Sequence, residues 1–142
     1  MSKSDTFEND LLKLIFNGTA IANLADNAAS APNTSLYVSL HTADPGEAGN
    51  QTTNEISYTS YARVAVARTS GGFTVTANSV SPAANIDFPA ATGGTGTVTY
   101  FAIGTASSGT GKILYSGTVP PNIPVSSGVT PRLTTSTAIT ED

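Results

Sequence analysis

Few side chains in this sequence could do chemistry. His41 is the single imidazole among 142 residues, and cysteine is absent. Thiol catalysis, disulfides, thiolate metal sites and paired-histidine sites are thereby excluded. An imidazole base needs a nucleophile and an orienting carboxylate beside it. Asp44 is close in sequence, but no G-x-S-x-G nucleophile turn occurs. His41 alternates with apolar neighbours, so it is expected to face solvent or an interface, or to brace a loop. Asp44, Glu47 and Glu55 flank one loop. Calcium takes several oxygen ligands at close spacing, and the D-x-D-x-D-G pattern is missing, so a solvated loop is expected and no metal. Gly93-Gly94-Thr95-Gly96 lacks the G-K-[ST] ending that brings a lysine to a phosphate, and reads as a turn. Tyr37, Tyr58, Tyr61, Tyr100 and Tyr115 could line a sugar site, but no tryptophan offers a stacking platform, and packing on strand faces accounts for them. Arg63 and Arg68 flank a strand; each could pair with a carboxylate at an interface or simply mark an exposed strand end. The chain is expected to be no enzyme and to carry no cofactor.

Charge narrows the classes further. Lys and Arg number 6 against 10 Asp and Glu, a net charge of −4 with charged residues at only 11%. A nucleic-acid binder needs a basic face, so nucleic acid is not an expected partner. The neutral polar residues are 22 Thr, 16 Ser and 13 Gly, with 8 Pro. Threonine suits a pleated sheet because its Cβ is branched, and Gly and Pro punctuate turns. No apolar run approaches the ~20 residues of a membrane span, and the polar start Met1-Ser2-Lys3-Ser4-Asp5 does not resemble an export signal. Synthesis in the cytoplasm is expected, or export by a route these residues do not display.

The elements that must position these residues fall into two regimes. Asp5 and Glu8 have capping-box spacing, with Asp5 as N-cap and Glu8 at N3. Phe7, Leu11, Leu14 and Ile15 recur at helical spacing, and Asn17-Gly18 reads as the stop. A helix over 5–17 follows. Ile21, Leu24, Ala25 and Ala28 repeat that spacing, which predicts a second short helix from Thr19 to before Pro32. A helix of ~13 residues is marginal alone in water, so its stripe must dock on the β domain, a sister subunit or a larger assembly.

From Ser35 the period becomes two. Leu36, Val38 and Leu40 alternate with Tyr37, Ser39 and His41, the pattern of a strand with one buried face. A polar loop over 43–55 follows. Residues 64–77 read as a hairpin turning at Gly71-Gly72. Ile86 and Phe88 alternate around Asp87. Residues 97–103 are apolar on both faces, as in a central strand. Residues 112–119 form a further strand, expected to end where Pro120, Pro121 and Pro124 break the ladder, and 133–139 a last one. Seven or eight short strands between turn signals predict a mainly β protein, a β-sandwich of jelly-roll-like topology, carrying a short N-terminal helix. The division is a helical arm over 1–31 and a β-sandwich domain over 32–142, with no hinge inside the latter.

The wording of the sequence is more specific than its periodicity. Ser35-Leu36-Tyr37-Val38-Ser39-Leu40-His41-Thr42-Ala43-Asp44-Pro45-Gly46-Glu47-Ala48-Gly49 is followed by Asn54-Glu55-Ile56 and by Ser60-Tyr61-Ala62-Arg63-Val64-Ala65-Val66. Ile86-Asp87-Phe88-Pro89, Gly96-Thr97-Val98-Thr99-Tyr100-Phe101-Ala102-Ile103 and Leu114-Tyr115-Ser116-Gly117 continue the series, and Glu8 to Leu12 with Phe16 to Ala20 open it. These segments, over about 7–119, resemble a family of small tailed-phage virion proteins; the Ala/Asn-rich stretch 20–33 departs from its pattern, and 120–142 follows it only loosely. The resemblance implies a structural role in the particle. The first expectation is a capsid cement or decoration protein on the outer capsid surface, bridging major capsid subunits as a homo-oligomer, dimer or trimer. The alternative is a tail component, a tail fibre or fibre-base adaptor, with tail proteins as partners. Candidate contact residues are Phe7, Leu11, Leu14 and Ile15 on the helix and Asp44, Glu47 and Glu55 around the loop.

Overall fold

Helical spacing gives way to strand spacing along the chain, and the backbone follows. The computed structural model describes residues 3–22, 24–27 and 31–141. Among the described residues there is one helix, α1 (Asp5–Asn17), and nine strands. The protein is mainly β, made of antiparallel sheets with a short N-terminal helix. The strands are β1 (Ser35–His41), β2 (Val64–Ala67), β3 (Phe73–Thr76), β4 (Ser79–Pro82), β5 (Ile86–Asp87), β6 (Gly96–Gly104), β7 (Ile113–Val125), β8 (Arg132–Leu133) and β9 (Ile139–Thr140). They form a four-stranded sheet in the order β2-β1-β6-β7, a three-stranded sheet β3-β4-β9 and the pair β5-β8.

Contacts divide the chain into two compact units, each assembled from separated segments. The first comprises Met1–Ser35, Val66–Asn85 and Thr134–Asp142. Its core is Leu12 and Phe16 of α1 with Phe73 and Val80, all at most 2% exposed. Phe16 meets Phe73 edge to face at 4.9 Å between ring centres, a geometry the ring quadrupoles favour. Ser4, not Asp5, is the N-cap: its backbone is extended, while Asp5 opens the helix itself. The Ser4 hydroxyl lies 3.3 Å from that of Thr6 rather than on a free helix N–H, so no capping box forms. Gly18 ends the helix in the left-handed conformation as expected, and the Thr19 N–H returns to the Lys13 carbonyl at 3.1 Å. Among the described residues of 19–31 no second helix forms. Ile21, Leu24 and Ala25 close a tight turn instead, with Ala25 N–H on the Ile21 carbonyl and Ile21 N–H on that of Ala25; Ala28 lies outside the described residues. Asp26 and Asn27 sit where the helix would run, and such residues compete with helix by bonding nearby backbone.

Three strand expectations change in the structure. Residues 64–77 are not a hairpin: β2 belongs to the four-stranded sheet, whereas β3 pairs with β4. The tight turn is Ala77-Asn78, with Thr76 opposite Ser79, and Ala77 takes a positive φ of 52°. β7 does not stop at Val119 but continues through all three prolines to Val125, opposite Gly96. It is an edge strand with a register irregularity between Val98 and Tyr100, and on an edge a missing N–H can face solvent. The stretch 133–139 is two short strands with different partners, β8 on β5 and β9 on β4.

The second unit comprises Leu36–Ala65 and Ile86–Leu133. There β6 is central, as its apolar faces require, between β1 and β7; Val38 pairs with Ile103 and Leu40 with Phe101. Leu36, Val38, Leu40, Val98, Phe101 and Ile103 are buried, together with Ile56, Tyr58 and Phe88 from the loops.

Candidate functional site

The most ordered polar chemistry lies in the second unit, where β1 leads into the loop 43–55 and β6 into the loop 105–111. Glu55 and Arg63 are its centre. Arg63 Nε donates to Glu55 Oε1 and Nη2 to Oε2, both at 2.7 Å. This two-pronged pairing is the geometry a planar guanidinium prefers. The same guanidinium reaches the other loop, with Nη1 on the Ala106 carbonyl at 3.0 Å and Nη2 on that of Gly109 at 2.8 Å. Its side chain is 3% exposed and that of Glu55 14%. Arg63 is therefore neither at an interface nor at an open strand end: it ties two loops of its own unit. The Tyr61 hydroxyl donates to Glu55 Oε1 at 2.8 Å and accepts the Leu40 N–H at 3.0 Å. Burial pushes the Tyr61 phenol far above its ordinary range, and the Glu55 carboxylate adds to this.

Two more buried polar side chains hold these loops. Gln51 donates from Nε2 to the Tyr37 carbonyl and accepts the Ala106 N–H at Oε1, both at 3.1 Å. Its own N–H reaches the Gly111 carbonyl at 2.9 Å. A Cβ on Gly104 or Gly111 would collide with the Gln51 side chain, so both positions need glycine to let the amide in. His41 is fully buried, not turned to solvent. Its Nδ1–H donates to the Thr53 carbonyl at 2.8 Å, which leaves Nε2 to accept the Ser39 hydroxyl at 2.9 Å. A period of two puts Ser39 and His41 on one face of β1, and both are buried there because they bond each other and the loop. The loop-bracing role expected of His41 is the one it has. Burial holds its pKa below the ordinary imidazole value, opposed by the Thr53 bond and by Glu55.

Asp44, Gly46, Glu47 and Ala48 of the loop are exposed. Asp44 accepts the Gly46 N–H at 2.8 Å and its carbonyl takes the Asn54 amide at 2.9 Å. Asp44, Gly46, Glu47 and Gly49 line one side of an open groove of about 370 Å³; Ile113, Leu114, Tyr115 and Ser116 of β7 line the other. Asp44 and Glu47 are exposed. Glu55 points inward, with both oxygens held by Arg63.

The helix residues belong to the first unit. Glu8, Leu12 and Phe16 are its buried side chains. Phe7 is 37% exposed, and Leu11, Leu14 and Ile15 are half-buried. Arg68 clamps the end of the helix: Nε donates to the Ile15 carbonyl at 2.7 Å, Nη2 to that of Leu14 at 2.8 Å and Nη1 to that of Asn33 at 2.7 Å. A cation is favoured there because the last carbonyls of a helix lack partners. The seven sequence candidates thus divide, with Phe7, Leu11, Leu14 and Ile15 in one unit and Asp44, Glu47 and Glu55 in the other.

Sequence reasoning did not find Gln51, Tyr61 or the Arg63 bridge. A signal existed: in a chain with 11% charged residues, Glu55 and Arg63 flank two tyrosines within one short stretch. Among the described residues, no group of three or more His, Asp or Glu could hold a metal ion, and no helix is long and apolar enough to cross a membrane. No curated protein matches the chain. A family model described as podophage GP4 fiber I protein gp80 matches residues 2–140. With nearly the whole length matched, the chain belongs to the podophage GP4 fiber I protein gp80 family.

Proposed function

We propose that this chain is a structural part of the phage tail-fibre apparatus, acting by contact and not by catalysis. The observation that carries this is the family match over residues 2–140, which names a fibre protein. It favours the tail reading over capsid decoration, the first expectation from the sequence. The site chemistry is in keeping with a scaffold. Glu55, Arg63 and Tyr61 saturate one another, and His41 is engaged at both ring nitrogens. Such closed polar networks rigidify loops, as a protein that transmits force through contacts needs. The chain works in the virion as a homo-oligomer, a dimer or trimer, bound to neighbouring tail proteins. The open side of α1 (Phe7, Leu11, Leu14, Ile15) and the exposed acids Asp44 and Glu47 are its candidate contacts. Copy number in purified particles tests this, by gel densitometry against the major capsid protein. A handful of copies per particle is expected. A ratio near one, or a simple fraction of one, would mean a shell component, and absence from the particle would end both virion readings.

A further inference from the structure

The strand β7 ends the four-stranded sheet, and only part of its edge is closed. Among the described residues β6 is its one strand neighbour. In an antiparallel ladder every second residue turns both its N–H and its C=O away from the partner strand. Over 113–119 roughly three or four residues therefore aim backbone groups outward. Proteins commonly blunt such an edge with proline or charge. Pro120, Pro121 and Pro124 do so for the second half of β7, but 113–119 holds neither a proline nor a charged residue.

The open groove beside the loop 43–55 follows that edge. Ile113, Leu114, Tyr115 and Ser116 all line it. Successive side chains of a strand point to opposite faces. A hollow on one face would touch 113 and 115, or 114 and 116, and not all four. Four residues in a row place the groove along the backbone. Asp44 and Glu47 stand on its other side, exposed and in no ion pair among the described residues. Lys112, just before the strand, is not among the lining residues. The backbone edge thus calls for an extended chain, and the two acids call for positive charge. A second copy fits poorly. Pairing β7 with β7 would bring two such acidic grooves together, each on a chain of net charge −4.

From this we infer that the edge of β7 over 113–119, with Asp44 and Glu47, is a docking groove for an extended basic segment of another protein. That segment adds a fifth strand to the sheet β2-β1-β6-β7 and sets arginine or lysine side chains against the two acids. Strand addition draws affinity from main-chain hydrogen bonds and selectivity from alternate side chains. The inference deepens the contact role given to Asp44 and Glu47 above and rests on it, but not on whether the chain sits in the tail or on the shell. Copy number can therefore fail without it, and it can fail without copy number.

The test uses the full chain and three synthetic peptides of alternating threonine and valine. One carries two arginines in place of two threonines, one carries two glutamates there, and the third is the arginine peptide with alternate amides N-methylated. Amide shifts in NMR titrations locate and quantify binding. The arginine peptide is expected to shift residues 113–119 and to slow exchange of their outward N–H groups. It should bind at least about tenfold more tightly than the glutamate peptide, the scale of two exposed charge pairs made against two repelled. N-methylation should weaken it about tenfold or more, because the added strand loses its ladder. Asp44→Asn with Glu47→Gln should remove the arginine preference, and Asp10→Asn should keep it. Thermal melts confirm that the variants fold, and Glu47→Gln alone still reports on the groove if the double variant does not. Equal affinity for the arginine and glutamate peptides, full binding of the N-methylated peptide, no binding of the arginine peptide, shifts elsewhere in the chain, or self-association that pairs β7 with β7 would each overturn the inference.

Discussion

Replacing Arg63 by lysine should cost the second unit most of what replacing it by alanine costs, although the charge is kept. Arg63 makes four hydrogen bonds from one planar group: two to Glu55 and one each to the Ala106 and Gly109 carbonyls. An ammonium is a point donor and cannot span a carboxylate and two carbonyls of another loop. At least two bonds to a charged group are lost, and such bonds contribute about 1.5–3 kcal/mol each. The expected cost of Arg63→Lys is therefore about 3–6 kcal/mol, close to the ~3–5 kcal/mol for breaking a buried ion pair outright, as Arg63→Ala does. At roughly 2–4 °C per kcal/mol for a chain of this size, both variants should melt about 6–20 °C below the parent in a scanning calorimeter at neutral pH. With the Arg63 side chain 3% exposed, the deficit should persist in high salt, since buried pairs are weakly screened. A lysine variant within about 2 °C of the parent, or a deficit that salt removes, would refute the reasoning and make the pair a surface one.

Three further outcomes are expected. Arg68→Lys should open the end of α1, because the Leu14, Ile15 and Asn33 carbonyls lose a shared donor; a loss of about 2–3 kcal/mol, with faster amide exchange over 14–18, checks it, and unchanged exchange there would contradict it. Gly111→Ala should destabilise the second unit by about 1–3 kcal/mol through overpacking against Gln51, and adding Gln51→Ala should relieve part of the loss; additive effects in denaturant melts would show that the two side chains do not meet. His41 has a lowered pKa in the fold, so the folded state binds fewer protons than the unfolded one near that pKa. Stability should be complete above the unfolded value of about 6.5 and fall as pH drops below it. The slope between about pH 5 and 6.5 should vanish in His41→Asn, and a parent that gains stability on acidification in that window would reverse the assigned sign.

What could be read in the sequence follows from where energy depends on pattern alone. Leu36, Val38 and Leu40 place β1, and the apolar run from Val98 to Ile103 places the central strand, because burial follows side-chain alternation directly. The same argument misplaces His41. Alternation assigns a polar side chain to solvent, yet Ser39 and the Thr53 carbonyl supply both of its partners inside. Gly71-Gly72 looks like a hairpin turn from its neighbours, but pairing is decided by which strands meet, and β2 finds β1 while β3 finds β4. The prolines of β7 would end a central strand; position at the edge, which sequence does not encode locally, lets them stay. In the candidate site, Phe7, Leu11, Leu14 and Ile15 are legible in the sequence as one apolar stripe of α1. That Leu12 and Phe16, rather than that stripe, form the contact with Phe73 is not. The spacing of a 3.6-residue helix leaves both faces apolar, and only the partner strand chooses between them.

Position in the particle tests the central claim most directly. Gold-conjugated antibody against this chain, applied to intact particles and viewed by electron microscopy, reports it in one image. The account predicts label confined to the tail, at the fibres or their base; label spread evenly over the icosahedral shell would contradict it.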